Sequence, residues 1–215
     1  MISTLAGTAI AGRVLIVGGG IGGLCAAIAL RRAGIEATVF ERQPALGEVG
    51  AGLCLWPNAM HVLRRLGLAE QLYPLGCPVE GQENRAWEGR VLERHSFAAV
   101  PRDLGVPALT IHRADLQAVL LANMARDGVR LGMRCTGFEI EGDGVMARFA
   151  DGTSARGACL IGADGIHSAV RAQVLGPEPP RYAGYTCCRG VVAYQPGWFP
   201  PGWFVQGLGD GVPTG

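Results

Sequence analysis

The sequence predicts an α/β fold built on a doubly wound parallel sheet, and three observations lead there. A short apolar run, Val14–Val17, breaks into glycines and passes at once into an alanine-rich helical stretch. Further apolar runs at residues 37–40 and 158–161 have the length and composition of buried parallel strands. Strand–helix–strand at the start, with another parallel-type strand far along the chain, defines a sheet with crossover connections. The hairpins that intervene read as a three-stranded antiparallel insertion.

The elements follow in order. The first helix, residues 24–33, closes on Gly34. Residues 43–52 are rich in turn formers: Pro44, Gly47, Gly50 and Gly52. Pro57-Asn58 opens a helix over 59–66 that Gly67 closes, with Met60, Leu63 and Leu66 on one side and Arg64 and Arg65 on the other. Residues 83–87 and 91–96 alternate as strands joined at Glu88-Gly89. Arg113 starts a helix striped by Leu116, Val119, Leu120 and Met124, which ends at Asp127-Gly128. A strand at 129–131 precedes a hairpin of residues 137–141 and 145–149 about Gly142-Asp143-Gly144, and Asp151-Gly152 marks a second turn. The strand at 158–161 runs into Gly162-Ala163-Asp164-Gly165, residues 167–175 are helical, and Pro177, Pro179 and Pro180 mark a boundary. Residues 182–194 read as a strand; the tail from Pro196 is dominated by glycine, proline and aromatics. There is no internal repeat.

Composition excludes several classes. Hydrophobic residues make up 49% of the 215 and charged ones 17%, so the chain can fill a core and is not disordered. A formal net charge of +1 gives no electrostatic reason to expect nucleic acid or an anionic membrane as partner. The seven cysteines include no Cys-x-x-Cys, which fits a reduced cytoplasmic protein. The vicinal pair Cys187-Cys188 reads as two small apolar fillers on a strand. His61, His95, His112 and His167 lack metal-ligand spacing, and no metal site is expected. Residues 1–11 have no basic n-region and are too short for a signal peptide, and no apolar run reaches membrane-spanning length. The expectation is a soluble chain.

The chemistry begins at Gly18, Gly20 and Gly23, spaced Gly-x-Gly-x-x-Gly between the first strand and the first helix. Gly18 permits the turn, Gly20 lets the backbone approach a pyrophosphate, and Gly23 lets the helix lie close to the strand. The free N–H groups and positive dipole end of the helix then face the phosphates. Glu41 ends the second strand near the offset expected for a carboxylate that accepts from a ribose hydroxyl. This is a dinucleotide-binding arrangement.

Four patterns now stand in order: the glycine triplet, Glu41-Arg42, His112-Arg113-Ala114-Asp115-Leu116, and Gly162-Ala163-Asp164-Gly165-Ile166-His167-Ser168 with Arg171. Together they resemble the FAD-dependent aromatic hydroxylases, flavoprotein monooxygenases of the salicylate- and para-hydroxybenzoate-hydroxylase type. Gly50-Ala51-Gly52-Leu53 with Pro57-Asn58-Ala59, and Gly184-Tyr185-Thr186 with Arg189-Gly190, are similar to the salicylate-hydroxylase branch. The resemblance covers nearly all of residues 13–195. It implies a Rossmann-like FAD-binding domain over residues 12–180, from which 77–104 give strands to a mixed-sheet substrate domain. Residues 181–215 would begin the rest of that second, incomplete domain.

By the same resemblance, Glu41 would hold the adenosine ribose of FAD and Arg42 would lie beside the adenine. Arg113 would reach the ribityl–pyrophosphate region, Asp164 would accept from a cofactor hydroxyl, and Gly52 would lie where the backbone passes the flavin. Arg189 would be the catalytic residue, near flavin and substrate, although Cys188 stands where the family usually has Trp. Plainer alternatives remain: a solvated strand end for Glu41-Arg42, a solvent-facing first turn for Arg113, a generic turn for Asp164, and a surface strand arginine for Arg189. Trp198 and Trp203 read as anchors of an unfinished sheet.

The implied activity is hydroxylation of a small aromatic or related substrate, with NAD(P)H reducing the flavin and O₂ supplying the hydroxyl; the cofactor carries the chemistry. The resemblance implies nothing about oligomeric state. The family's later Gly-Asp element is missing: Gly209-Asp210-Gly211 reads as accidental, in a coil-like tail without an apolar strand before it. A truncated hydroxylase is expected, possessing the ADP-binding half of the site and prone to aggregate through open sheet edges. A related flavoprotein reductase and a non-catalytic FAD- or nucleotide-binding fragment are the alternatives.

Overall fold

The structure, a computed structural model, describes residues 12–46, 51–195, 197 and 199–209. Residues 1–11, Gly47, Gly50, Pro196, Trp198 and Asp210-Gly211, all discussed above, lie outside the described residues. In chain order the elements are β1 (Val14–Val17), α1 (Ile21–Arg32), β2 (Ala37–Phe40), β3 (Gly52–Leu55), α2 (Pro57–Arg65), α3 (Ala69–Leu72), β4 (Gly76–Pro78), β5 (Gly81–Ala86) and β6 (Val91–Ser96). There follow α4 (Val100–Leu104), β7 (Leu109–His112), α5 (Arg113–Ala122), β8 (Val129–Arg130), β9 (Cys135–Glu141), β10 (Gly144–Phe149), β11 (Ser154–Gly157), β12 (Cys159–Gly162), α6 (Ala169–Leu175) and β13 (Trp203–Leu208). They form two compact units, residues 1–47 with 120–186 and residues 48–119 with 187–215.

The first unit holds the parallel sheet, in the order β12-β1-β2-β8. Val14 pairs with Cys159 on one side and Ala37 on the other, and Val17 with Gly162 and Phe40. Every residue of β1 and β2 is buried, which is why the sequence reads as unbroken apolar runs rather than alternation. Leu24, Ala27 and Ile28 are the buried face of α1. Leu15 and Phe40 join Val145, Ala147 and Phe149 of the antiparallel sheet β11-β10-β9 in one core cluster. The rings of Phe40 and Phe149 stand 4.7 Å apart at 31°, a pairing worth about 0.5–1.5 kcal/mol beyond the area it buries. The hairpin register sets Gly144 opposite Glu141, and Gly142 takes φ +60° in the turn. The α/β class, the parallel sheet and the antiparallel insertion are as expected.

The second unit contains two small sheets. In one, β7 lies between β3 and β4, antiparallel to both. Met60, Leu63, Leu68, Leu72, Leu109 and Leu116 are buried in this unit. In the other, β5 runs antiparallel to β6 and parallel to β13. Gly81 leaves room for the Trp203 ring, whose atoms would lie 2.7 Å from a Cβ there. Phe204 on the neighbouring residue packs against Trp56.

The central strand of that sheet buries a charge. Glu83 is only 1% exposed and accepts from the Arg85 guanidinium and, at 2.8 Å, from Arg94 Nε on β6. The Arg94 guanidinium also lies 4.8 Å over the Trp203 ring, tying β13 to the pair. The hydrogen bond from Arg85, helped by Arg94, outweighs burial and holds the Glu83 carboxyl below its ordinary value of 4.5.

Several sequence expectations need correction. Residues 182–194 form no strand and are exposed throughout. Their aromatic and β-branched composition favours a sheet, but that preference is realised only against a neighbour to pack on. The strand lies instead at Trp203–Leu208, so an extended segment does precede Gly209. Cys187 and Cys188 are accordingly not fillers on a strand; both are exposed. Helix α5 stops at Ala122 rather than running to Asp127, because Asn123 and Met124 donate three residues back to Leu120 and Leu121 and the chain tightens into turns. Strands β3, β4 and β7 and the short helices α3 and α4 are further elements, too short to carry a clear periodicity in the sequence.

Because the folded Glu83 carboxyl titrates below 4.5, its contribution to stability is present above that pH and is lost as pH falls through the lowered value. Glu83→Gln is therefore expected to be less stable than the native chain at neutral pH, with the difference shrinking in acid. Urea unfolding at pH 7 and below pH 4.5 measures it.

Candidate functional site

In the first unit the site is built from backbone. Gly18 leaves β1 at φ +111°, donates to the Phe40 carbonyl at 2.8 Å, and abuts the end of β12. A Cβ at Gly18 would stand 2.2 Å from the Ala163 oxygen, and one at Gly23 would stand 1.9 Å from the Gly18 oxygen. Turn, helix and neighbouring strand therefore close on one another at distances that only hydrogen permits. By contrast, a Cβ at Gly20 or Gly22 meets nothing within 4 Å. Glycine at 20 and 22 is not imposed by the chain's own packing, and it leaves the backbone bare toward the outside.

Gly20 is the N-cap of α1, extended, with no side-chain cap and no acidic residue in the first turn, while Arg31 and Arg32 complete the far end. The first N–H groups of this twelve-residue helix thus face outward with a positive dipole end behind them. Glu41 is 9% exposed and lies against the turn. One of its oxygens accepts from the Gly19 N–H at 2.7 Å and the other from the Gln43 N–H at 2.9 Å. Gly19 lies outside the triplet spacing, yet a Cβ there would come within 2.9 Å of the Glu41 side chain. The run of three glycines was the sequence signal for it. Arg42 is exposed.

Asp164 follows β12 and anchors α6. Its carboxylate accepts from Ser168 Oγ at 2.5 Å and from the Ala169 and Val170 N–H groups at 2.7 and 3.3 Å. Ser168, the N-cap, accepts in turn from the Arg171 N–H. The opposite end of α6 is tied down by Gln173, which donates to the Phe138 carbonyl and accepts from its N–H. The Asp164 peptide also touches the Gly18 turn, so the residue stands beside the glycine loop while its carboxylate accepts from helical N–H groups and a hydroxyl.

In the second unit, Gly52, Arg113 and Arg189 line one cavity of about 550 Å³, together with Ala51, Leu53, Gly190 and Val191. Arg113 enters α5 with its N–H donating to the Ala51 carbonyl at 3.4 Å, which holds the helix start against β3. The lining contains two guanidinium groups and no carboxylate, and neither arginine is ion-paired among the described residues. Such a cavity attracts an anion. A Cβ at Gly52 would be 3.7 Å from the Ile111 oxygen, an ordinary contact, so packing does not require glycine there. Val191 carries no local signal that would have marked it as a lining residue. Among the described residues no three His, Cys, Asp or Glu side chains gather to hold a metal ion, and no helix is long and apolar enough to cross a membrane.

Comparison with known proteins defines the class first. Residues 12–179 match the family described as FAD binding domain, and the chain belongs to that family. It is 44% identical over 178 residues to the aurachin C monooxygenase/isomerase of Stigmatella aurantiaca, covering 83% of this chain and 46% of that one. It is 36% identical over 201 residues to the FAD-dependent urate hydroxylase of Klebsiella pneumoniae, covering 93% and 52%. The crystal structure of Klebsiella pneumoniae HpxO complexed with FAD and uric acid matches with a TM-score of 0.71 at 38% identity, over 79% of this chain and 43% of that one. The chain spans about half the length of the curated relatives it matches.

The two kinds of glycine in the turn separate by mutation. Gly23→Ala should lower stability by about 1–3 kcal/mol or more through overpacking, whereas Gly22→Ala, on an open helical position, should leave it unchanged or raise it by up to about 1 kcal/mol. Loss of the carboxylate in Asp164→Ala should destabilise by about 1–2 kcal/mol, as for other lost helix caps. Urea denaturation of the three variants reads all of these effects.

Proposed function

We propose that this chain binds FAD and belongs to a monooxygenase that hydroxylates a small aromatic or related ring with NAD(P)H and O₂. The observation that carries the reading is the uncapped N-terminus of α1, reached through a turn with no room for a side chain at Gly18 and flanked by the buried Glu41. FAD, when bound, supplies the redox chemistry, taking reducing equivalents from NAD(P)H and activating O₂.

The residues of the first unit would hold the ADP portion. The bare backbone at Gly20 and the free N–H groups of α1 suit a pyrophosphate, which needs donors and close approach more than side chains. Gly18 and Gly23 shape that turn without touching the ligand. Glu41 keeps acceptor capacity beyond the two N–H groups it already receives, enough to take a ribose hydroxyl. Arg42, exposed at the next residue, is assigned to the adenine, and Asp164 to a cofactor hydroxyl.

In the second unit Arg113 would supply positive charge for a phosphate and Gly52 would let the backbone pass a flat ring. Arg189 is proposed as the catalytic residue, a fixed cation that favours an ionised phenolic substrate and negative charge developing on it. The urate and aromatic substrates named for relatives support a small planar ring. We place the chain in the cytoplasm, a reading supported by cysteines that are all free. A chain that binds FAD without turnover is the second reading; product formation from a phenolic substrate separates the two.

Titration of the purified chain with FAD tests the proposal. Saturable quenching of flavin fluorescence is expected. Removing the ribose acceptor in Glu41→Ala should weaken binding by about tenfold or more, the worth of a charge-assisted hydrogen bond. Absence of saturable FAD binding by a folded native chain would sink the reading.

A further inference from the structure

The FAD reading leaves Cys187 and Cys188 unused, and the structure removes their sequence explanation as strand fillers. We propose that they form a dithiol site for a soft thiophilic centre of pyramidal geometry, of the trivalent arsenic type. Both thiols are free and exposed, and neither lies in a strand. That matters because adjacent side chains on a strand project to opposite faces. Outside a strand no such divergence is imposed, and the Cys187 Sγ lies 3.8 Å from the Cys188 carbonyl oxygen.

Two competing fates are unfavourable. A disulfide between consecutive residues would have to form across a Cα separation of about 3.8 Å, below the usual range of about 4.4–6.8 Å. Structural zinc needs four protein ligands, and no group of three or more His, Cys, Asp or Glu side chains gathers among the described residues. The fitting ligand accepts two sulfurs at a narrow angle and brings its third substituent with it, as an organoarsenical does. With an arsenic(III) oxide, two As–S bonds form and the bonds from arsenic to oxygen break. The two thiol protons leave with that oxygen as water, and no atom changes oxidation state. Arg189, Gly190 and Val191, the next three residues in the chain, line the cavity of the second unit.

The site is independent of FAD binding, and its test does not use FAD. The full chain is treated with phenylarsine oxide and then with an excess of 2-mercaptoethanol, and followed by intact mass and thiol titration. One arsenical should remain, two thiols should be lost, and dithiothreitol should reverse both. Closing a second As–S bond within one chain should make retention about a hundredfold stronger than in Cys187→Ser or Cys188→Ser. Both positions are exposed, so serine there leaves packing intact; circular dichroism checks it. A native chain that keeps no arsenical against monothiol, or serine variants that keep it equally well, would overturn the proposal.

Discussion

Three stretches of backbone meet at Gly18, and most of the first unit follows from that contact. The end of β1, the end of β12 and the first turn of α1 approach until only hydrogen fits between them. This closeness fixes where α1 begins, and so where its unpaired N–H groups emerge. It also brings the Gly19 amide onto Glu41 and the Asp164 peptide onto the turn. Each glycine costs about 0.5–1 kcal/mol of backbone entropy relative to alanine. The buried residues of β1, β2 and the antiparallel sheet offset that cost, and without such a core the turn would not stay closed.

Legibility in the sequence tracks how local each signal is. The glycine triplet and Gly142-Asp143-Gly144 announce themselves within a few residues, and the corresponding elements are found where expected. Residues 182–194 carry strand composition but no neighbouring strand, while Trp203–Leu208 looks like tail and becomes a strand because Gly81 makes room for Trp203. The burial of Glu83 could not be read from Gln82-Glu83-Asn84-Arg85, since it depends on Arg94 across the hairpin. Gly52, Arg113 and Arg189 are far apart in the chain, and only the family resemblance named all three before the cavity did.

The two units handle negative charge by different means. The first offers fixed amide dipoles and a carboxylate already held by two N–H donors, which favours orientation over raw attraction. The second offers guanidinium groups, whose full charge reaches further than a peptide dipole. A net charge of +1 over the whole chain conceals both, because Glu83, Glu139 and their arginine partners cancel elsewhere.

The pairing of Val14 with Cys159 has a consequence for how the molecule is made. On the ribosome β1 emerges well before its neighbour β12, which arrives only after residues 48–119 of the second unit and the antiparallel hairpins have been synthesised. Until then one edge of an entirely apolar strand stays open, a long-range closure of the kind that slows folding and recruits chaperones. Synthesis speed through the intervening segment thus becomes a determinant of how much chain reaches the native state.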